Sequence, residues 1–239
     1  MSCYINPQLA THNSQPATHN SQLATRNPQP LNMKILVLDN YDSFTYNLVQ
    51  YVQEIVGHKI DVFRNDAISL EEVDQYDKII LSPGPGLPKD AGIMPELIQR
   101  YAPTKHIFGV CLGHQAIGEA FGGTLHNIEK VYHGVATPIK IVDGNSLTFR
   151  GLPPVIEAGR YHSWVVEKHN LPDSLQITAI DEQGVIMAMR HETYNVRGVQ
   201  FHPESVMTPH GKAMLRNFLY QSEVQEELYA SVDGGDNLV

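Results

Sequence analysis

The chain has 239 residues, of which 42% are hydrophobic and 18% charged, the composition of an ordinary globular protein. With about 200 ordered residues it buries roughly 70% of the surface its unfolded form exposes, so a core needs neither disulfide nor metal. Seventeen basic against 26 acidic residues give a formal charge of -9, which argues against nucleic acid as a partner, because phosphate binding needs a basic face. The two cysteines, Cys3 and Cys111, form no CxxC pair and read as thiols of a reducing cytoplasm. Apolar runs such as 35–38 and 79–81 are too short to span a bilayer, and residues 1–30 lack the basic and apolar regions of a signal peptide.

The first 32 residues hold a seven-residue repeat opened by Asn6, Asn13, Asn20 and Asn27. The units have at most one or two apolar residues, with proline in three of the four, too little to offset chain entropy, so 1–32 is expected to be disordered. From Met33 the pattern changes. Residues 34–38 form an apolar run of the kind that is covered on both faces of a parallel sheet. Leu48, Val49, Val52, Ile55 and Val56 give helical spacing over 45–56, closed by Gly57. A strand follows at 60–63, a short helix at 69–73, and a strand at 78–81 that stops at Ser82-Pro83-Gly84-Pro85-Gly86. A helix at 94–101, a strand at 106–110 and a helix at 112–121 complete the alternation. After Thr124 the segments 136–142, 155–159, 164–167, 175–180, 185–190 and 197–200 all read as strands, with mixed or antiparallel pairing. Residues 210–221 close as a helix, and 223–239 read as an acidic tail. The expectation is one α/β domain over 33–222, an open, mostly parallel sheet with helices on both faces and an added mixed region.

The sharpest local signal is Gly109-Val110-Cys111-Leu112-Gly113 between a strand and a helix, the cysteine form of the G-x-S-x-G nucleophile elbow. Flanking glycines permit a tight turn, and the helix start beyond Cys111 favours a thiolate. The commoner fate of a free cysteine is that of a small buried hydrophobe, so Cys111 needs partners to count as a nucleophile. They are found in Gly198-Val199-Gln200-Phe201-His202-Pro203-Glu204. A strand there delivers His202 to the sheet rim where ligands bind, and Pro203 brings Glu204 close behind. His202 is placed to exchange a proton with Cys111, and Glu204 to orient the imidazole. His58, His106, His126, His169 and His210 read as surface or loop residues, and no H-E-x-x-H occurs, so neither metal nor other cofactor is expected. The Ser82–Gly86 segment is by composition a Pro/Gly turn. At the end of a strand beside the nucleophile strand, an N–H near Gly86 and that of Leu112 would form an oxyanion hole.

Taken together, the stretch Asp39–Asn47 (DNYDSFTYN), the SPGPG turn, GVCLGHQ and QFHPES resemble the class I, triad glutamine amidotransferases over roughly residues 33–219. The opening motif is similar to the small subunits of anthranilate synthase and aminodeoxychorismate synthase. The resemblance implies a flavodoxin-like sheet and hydrolysis of L-glutamine to glutamate and ammonia through a glutamyl thioester on Cys111. It maps glutamine contacts onto Gly84, Pro85, Gly86, Gln115, Ser163 and Trp164. On helical spacing, Gln115 shares a face with Cys111, although the same spacing fits a solvated helix residue. The resemblance also implies a large chorismate-using subunit that receives the ammonia by a sheltered path, in tryptophan or folate biosynthesis. Sequestration has a physical basis, since ammonia in neutral water is protonated and loses its nucleophilicity.

Two positions depart from the family pattern. Trp164 stands where many relatives have Leu, and Val135 follows His133-Gly134 where relatives often have Lys. The contact at Trp164 is expected to be largely backbone, and Val135 bears on the partner interface. Other readings are a free-standing γ-glutamyl cysteine hydrolase, a non-catalytic regulatory role, and a glutaminase for another acceptor. Anthranilate is the first reading for the product, with aminodeoxychorismate, or service to both, as the alternative.

Met33 opens a strand at once and is read as the working start codon, with the repeat outside the functional enzyme. Intact mass of the natively expressed protein is expected to give a chain beginning near Met33; a mature chain beginning near Met1 would refute it.

Overall fold

Strand β1 (Ile35–Asp39) is buried at all five positions, as a strand covered on both faces must be. This computed structural model describes residues 33–128 and 131–220; the expectations for 1–32 and 223–239 lie outside the described residues. Helix α1 (Thr45–Val56) follows and ends where Gly57 takes a left-handed φ of 77° and returns its N–H to Gln53 O. Strand β2 (Asp61–Arg64) leads to α2 (Leu70–Val73), started by a capping box between Ser69 and Glu72. Then come β3 (Lys78–Leu81), α3 (Met94–Tyr101), β4 (His106–Val110) and α4 (Leu112–Ala120). The strand-rich region comprises β5 (Leu125–Asn127), β6 (Val135–Ile141), β7 (Val155–Arg160) and β8 (Trp164–Val166). Strands β9 (Leu175–Ile180), β10 (Ile186–His191) and β11 (Val196–Val199) complete it before α5 (Gly211–Leu219).

Nine strands form one sheet in the order β2-β1-β3-β4-β11-β10-β9-β6-β7. Pairing is parallel from β2 through β11 and antiparallel from β10 through β7. The parallel part is a doubly wound α/β sheet. Alternate side chains of each strand serve opposite faces. Val37, Ile80, Phe108, Val110 and Val199 pack with Leu48 and Val52 of α1 and with Met214, Leu215 and Phe218 of α5. Leu36, Leu38, Ile79, Leu81 and Ile107 pack on the other side with Leu97 and Ile98 of α3 and with Ala116 and Ile117 of α4. Buried Lys78 donates through Nζ to Phe218 O at 3.0 Å, which satisfies an orphan carbonyl of the last turn of α5 and pins that helix to the sheet.

One element departs from the sequence pattern. Strand β5 pairs with β8 in a separate two-stranded sheet, so the segment at Trp164 does not join the main sheet as its neighbours do. A three-residue strand with two exposed positions carries no periodicity from which to read it.

His114 and His162 are buried in these layers, and His106, expected at the surface, is half-buried. Burial lowers the pKa of His114 to about 4. His106 falls to about 4 through burial and then the charges of Lys78 and Arg197. His162 falls to about 3 through burial and then Arg160. The unfolded chain protonates these rings below about pH 6.5, while the native protein resists until about 4, so unfolding takes up protons and stability falls as pH drops through that window. Urea unfolding at pH 7 and pH 5 is therefore expected to show a lower midpoint at pH 5, with proton uptake on unfolding; an unchanged midpoint would show that these rings are charged in the native state.

Candidate active site

Strand β4 and helix α4 are joined by Cys111 alone, at φ 50° and ψ -98°. A non-glycine residue avoids this region unless its surroundings hold it there. The Cys111 N–H is tied to Val199 O on β11 at 2.9 Å. A Cβ on Gly109 would lie 2.4 Å from the Gly113 carbonyl carbon, and one on Gly113 would lie 2.6 Å from Leu81 O. Both glycines are thus required by the closeness of α4 to β4 and β3. Leu112 is the first residue of α4, where an N–H lacks an intrahelical partner.

Strand β11 lies parallel to β4 with Val199 opposite Val110, so His202 emerges at the same rim as Cys111. The His202 backbone is held at both ends: its N–H donates to Gly159 O at 3.0 Å, and its carbonyl accepts from Thr208 Oγ1 at 2.7 Å. A Cβ on Gly211 would meet Pro203 O at 1.7 Å, so α5 begins in direct contact with the His202–Glu204 turn. Nδ1 of His202 lies 2.7 Å from Glu204 Oε1, with the two residues 2% and 1% exposed. That contact places a hydrogen on Nδ1 and leaves Nε2 for the thiol. Nε2 has no nitrogen or oxygen partner and is buried beside Cys111. Burial opposes charge on His202, but the hydrogen bond to the Cys111 sulfur and then Glu204 outweigh it and raise its pKa to about 10. That shift favours the charged ring beside the Cys111 sulfur. Phe44 and Tyr161 cover the ring, with centroids 5.7 and 4.7 Å from that of His202.

The turn after β3 is fastened from β1. Asn40 donates its N–H to Ser82 Oγ at 2.8 Å and its side-chain amide to Ser82 O at 2.9 Å, and Asn65 braces Asn40 at 3.0 Å. A Cβ on Gly84 would lie 2.7 Å from Leu112 Cδ2, so only glycine lets this turn rest on the start of α4. Pro85 and Gly86 are exposed at the rim, and Gly86 has a φ of 77°. The DNYDSF segment therefore works as scaffold: Asn40 anchors the turn, and Asp39 accepts from Thr45 Oγ1 at the head of α1.

Gln115 is buried, not solvated. Its amide nitrogen donates to Trp164 O at 2.8 Å and to Gln200 Oε1 at 3.3 Å. Gln200 in turn points its amide nitrogen at Cys111 Sγ, 3.6 Å away. Ser163 and Trp164 are half-buried at the edge of this cluster. The sequence pattern did not single out Gln200, although two-residue alternation along β11 puts it on the same face as His202. Nor did it single out Arg160 and Asp181, which lie further along this network. Among the described residues, no cluster of three or more His, Cys, Asp or Glu side chains is arranged to hold a metal.

The glutamine amidotransferase class-I profile matches residues 36–222. The chain belongs to the class-I glutamine amidotransferase family. It is 48% identical over 194 residues to aminodeoxychorismate/anthranilate synthase component 2 of Bacillus subtilis, covering 80% of this chain and 98% of that one. Anthranilate synthase component 2 of Thermus thermophilus is 50% identical over 192 residues, covering 78% and 92%. Against the bifunctional protein TrpGD of Thermotoga maritima the identity is 45% over 195 residues, and the match spans 33% of that longer protein. Among solved structures, a Thermoplasma acidophilum protein described as part of a GMP synthase superposes with a TM-score of 0.72 at 25% identity, covering 83% of this chain and 98% of that one. No helix among the described residues of this amidotransferase is long and apolar enough to cross a membrane.

The raised pKa of His202 makes a pH-dependent expectation. With its folded pKa raised to about 10, His202 contributes stability that is complete below about pH 6.5 and is lost as pH rises through about 10. In the wild type the His202 ring, followed by isotope-edited NMR, is expected to stay charged at pH 8, and in Cys111→Ala to lose its proton at lower pH. A wild-type ring titrating near 6.5 would overturn the expectation.

Proposed function

We propose that this amidotransferase is the glutaminase subunit of an anthranilate synthase, releasing ammonia from L-glutamine with Cys111, His202 and Glu204. The observation that carries the reading is the buried Cys111–His202–Glu204 array, with the charge of His202 held up by its two neighbours. The Cys111 thiolate attacks the side-chain amide carbon of glutamine. His202 then gives its Nε2 proton to the departing nitrogen, which leaves as ammonia. A γ-glutamyl thioester remains on Cys111. Neutral His202 takes a proton from water, the resulting hydroxide attacks the thioester, and glutamate departs as the thiolate and imidazolium re-form. The N–H groups of Leu112 and Gly86 would supply the oxyanion hole. Both amide hydrogens of Gln115 are already committed, so its Oε1 is what remains to accept from the substrate ammonium. The Trp164 carbonyl is also occupied, which leaves the Ser163–Trp164 backbone N–H side for glutamine.

The partner is a chorismate-using synthase subunit. The names borne by the Bacillus and Thermus relatives support this, and the Bacillus name keeps a dual role with aminodeoxychorismate in play. Exposed apolar side chains at the same rim, Val206 at 91% and Met207 beside it, support docking directly over the triad. Phe44 and Tyr161 would keep water from ammonia leaving toward that partner. The free thiol of Cys111 fits work in a reducing cytoplasm.

Glutamate release from glutamine is expected to be slow for the isolated chain and to rise when the chorismate-using partner is added. Cys111→Ala is expected to lower it about 10,000-fold or more in both settings. Release unaffected by Cys111→Ala would refute the mechanism. No release with either an anthranilate or an aminodeoxychorismate partner would refute the glutaminase role.

A further inference from the structure

Behind the nucleophile, a line of hydrogen bonds runs from β9 to the thiol. Asp181, directly after β9, accepts the N–H groups of Gln183 and Val185 on Oδ1, each at 2.9 Å. Its Oδ2 takes Arg160 Nη1 at 2.8 Å, and the two side chains are 2% and 1% exposed. Arg160 Nε donates to His162 Nε2 at 3.2 Å. A guanidinium can only donate, so His162 must accept there and carry its hydrogen on Nδ1. Nδ1 then donates to Trp164 O at 3.2 Å, the carbonyl that also takes Gln115 at 2.8 Å. Gln115 continues to Gln200 Oε1, and Gln200 to Cys111 Sγ at 3.6 Å. Donors and acceptors match at every step, and no link is reversible without breaking another. Tyr132 stacks on the Arg160 guanidinium at 3.6 Å and on His162 at 5.5 Å between centroids, which keeps both planes in register.

We propose that Arg160 and Asp181 are positioning residues for the nucleophile: their buried ion pair fixes the tautomer of His162, which with Gln115 clamps the Trp164 carbonyl and so sets the Gln200 hydrogen bond to Cys111 Sγ. The inference rests on the glutaminase reading only in taking Cys111 as the nucleophile. Nothing in stability alone calls for an ion pair here, because a buried pair is often replaced by apolar residues of similar volume without loss, whereas removing one partner strands a charge. That asymmetry separates positioning from packing.

The test compares the full chain with Arg160→Met, with Asp181→Asn, with the double variant Arg160→Met/Asp181→Leu, and with Gln200→Leu. Two readouts are taken: the urea midpoint, and the rate of Cys111 alkylation by iodoacetamide, followed by mass on the Cys111 peptide so that Cys3 does not interfere. The single variants of the pair are expected to lose stability and the double variant to regain it. Alkylation is expected to stay about 10-fold slower than wild type in the double variant and in Gln200→Leu, within the about 100-fold that a 1 Å misplacement of a reacting atom can cost. Wild-type alkylation in the stably folded double variant would overturn the proposal and leave the pair a packing element. If the double variant does not fold, Gln200→Leu decides: an unchanged rate there would break the line at its last link and overturn the proposal equally. Because alkylation needs no glutamine, a wild type that alkylates rapidly but never turns over glutamine would defeat the proposed function and not this inference.

Discussion

The joint between β4 and α4 is the constraint on which the site depends. A strand and a helix meet across one residue, and that residue is forced to a φ of 50°. Such a conformation costs about 1–3 kcal/mol and survives only where the neighbours over-determine it. Here they do. Gly109 and Gly113 let α4 settle against β4 and β3 at distances a methyl group would not allow, and Val199 O holds the Cys111 N–H from the adjacent strand.

Once the sulfur stands at the rim, the charge of the imidazole beside it is set by its neighbours. Cys111 and Glu204 both act on His202, and together they outweigh the burial that would otherwise keep the ring neutral. In the same site His162 has the opposite fate: burial and the Arg160 guanidinium keep it neutral. Two imidazoles thus rest in different charge states, one held protonated and the other held neutral. The difference lies in the sign of the nearest charge, not in depth of burial.

The parallel half of the fold was readable because both of its codes are local. Apolar runs such as 35–38 and 79–81 mark doubly covered strands, and the helix at 45–56 appears with its observed bounds because apolar spacing and Gly57 mark it. The strands after Thr124 were found as strands but not as partners. That β8 leaves the main sheet for β5 depends on a three-residue pairing with no pattern of its own. Likewise His106 looks like a strand-end surface residue until Lys78 and Arg197 of the two adjacent strands are placed around it.

For this protein the sequence by itself determined where the elbow cysteine, the histidine and the carboxylate behind it fall along the chain. Each sits at a strand end whose flanking glycine or proline has a local steric reason to be there. It also determined the alternation of strands and helices that brings those ends to one rim. Only the tertiary structure decided that Gln115 faces inward, that Gln200 addresses the thiol, and that Arg160, His162 and Asp181 stand in line behind it. These residues come from β7, β9, β11 and α4 and from the turns beside them, far apart along the chain. A hydrogen bond between such positions is fixed by strand order and register, which no spacing along the sequence encodes.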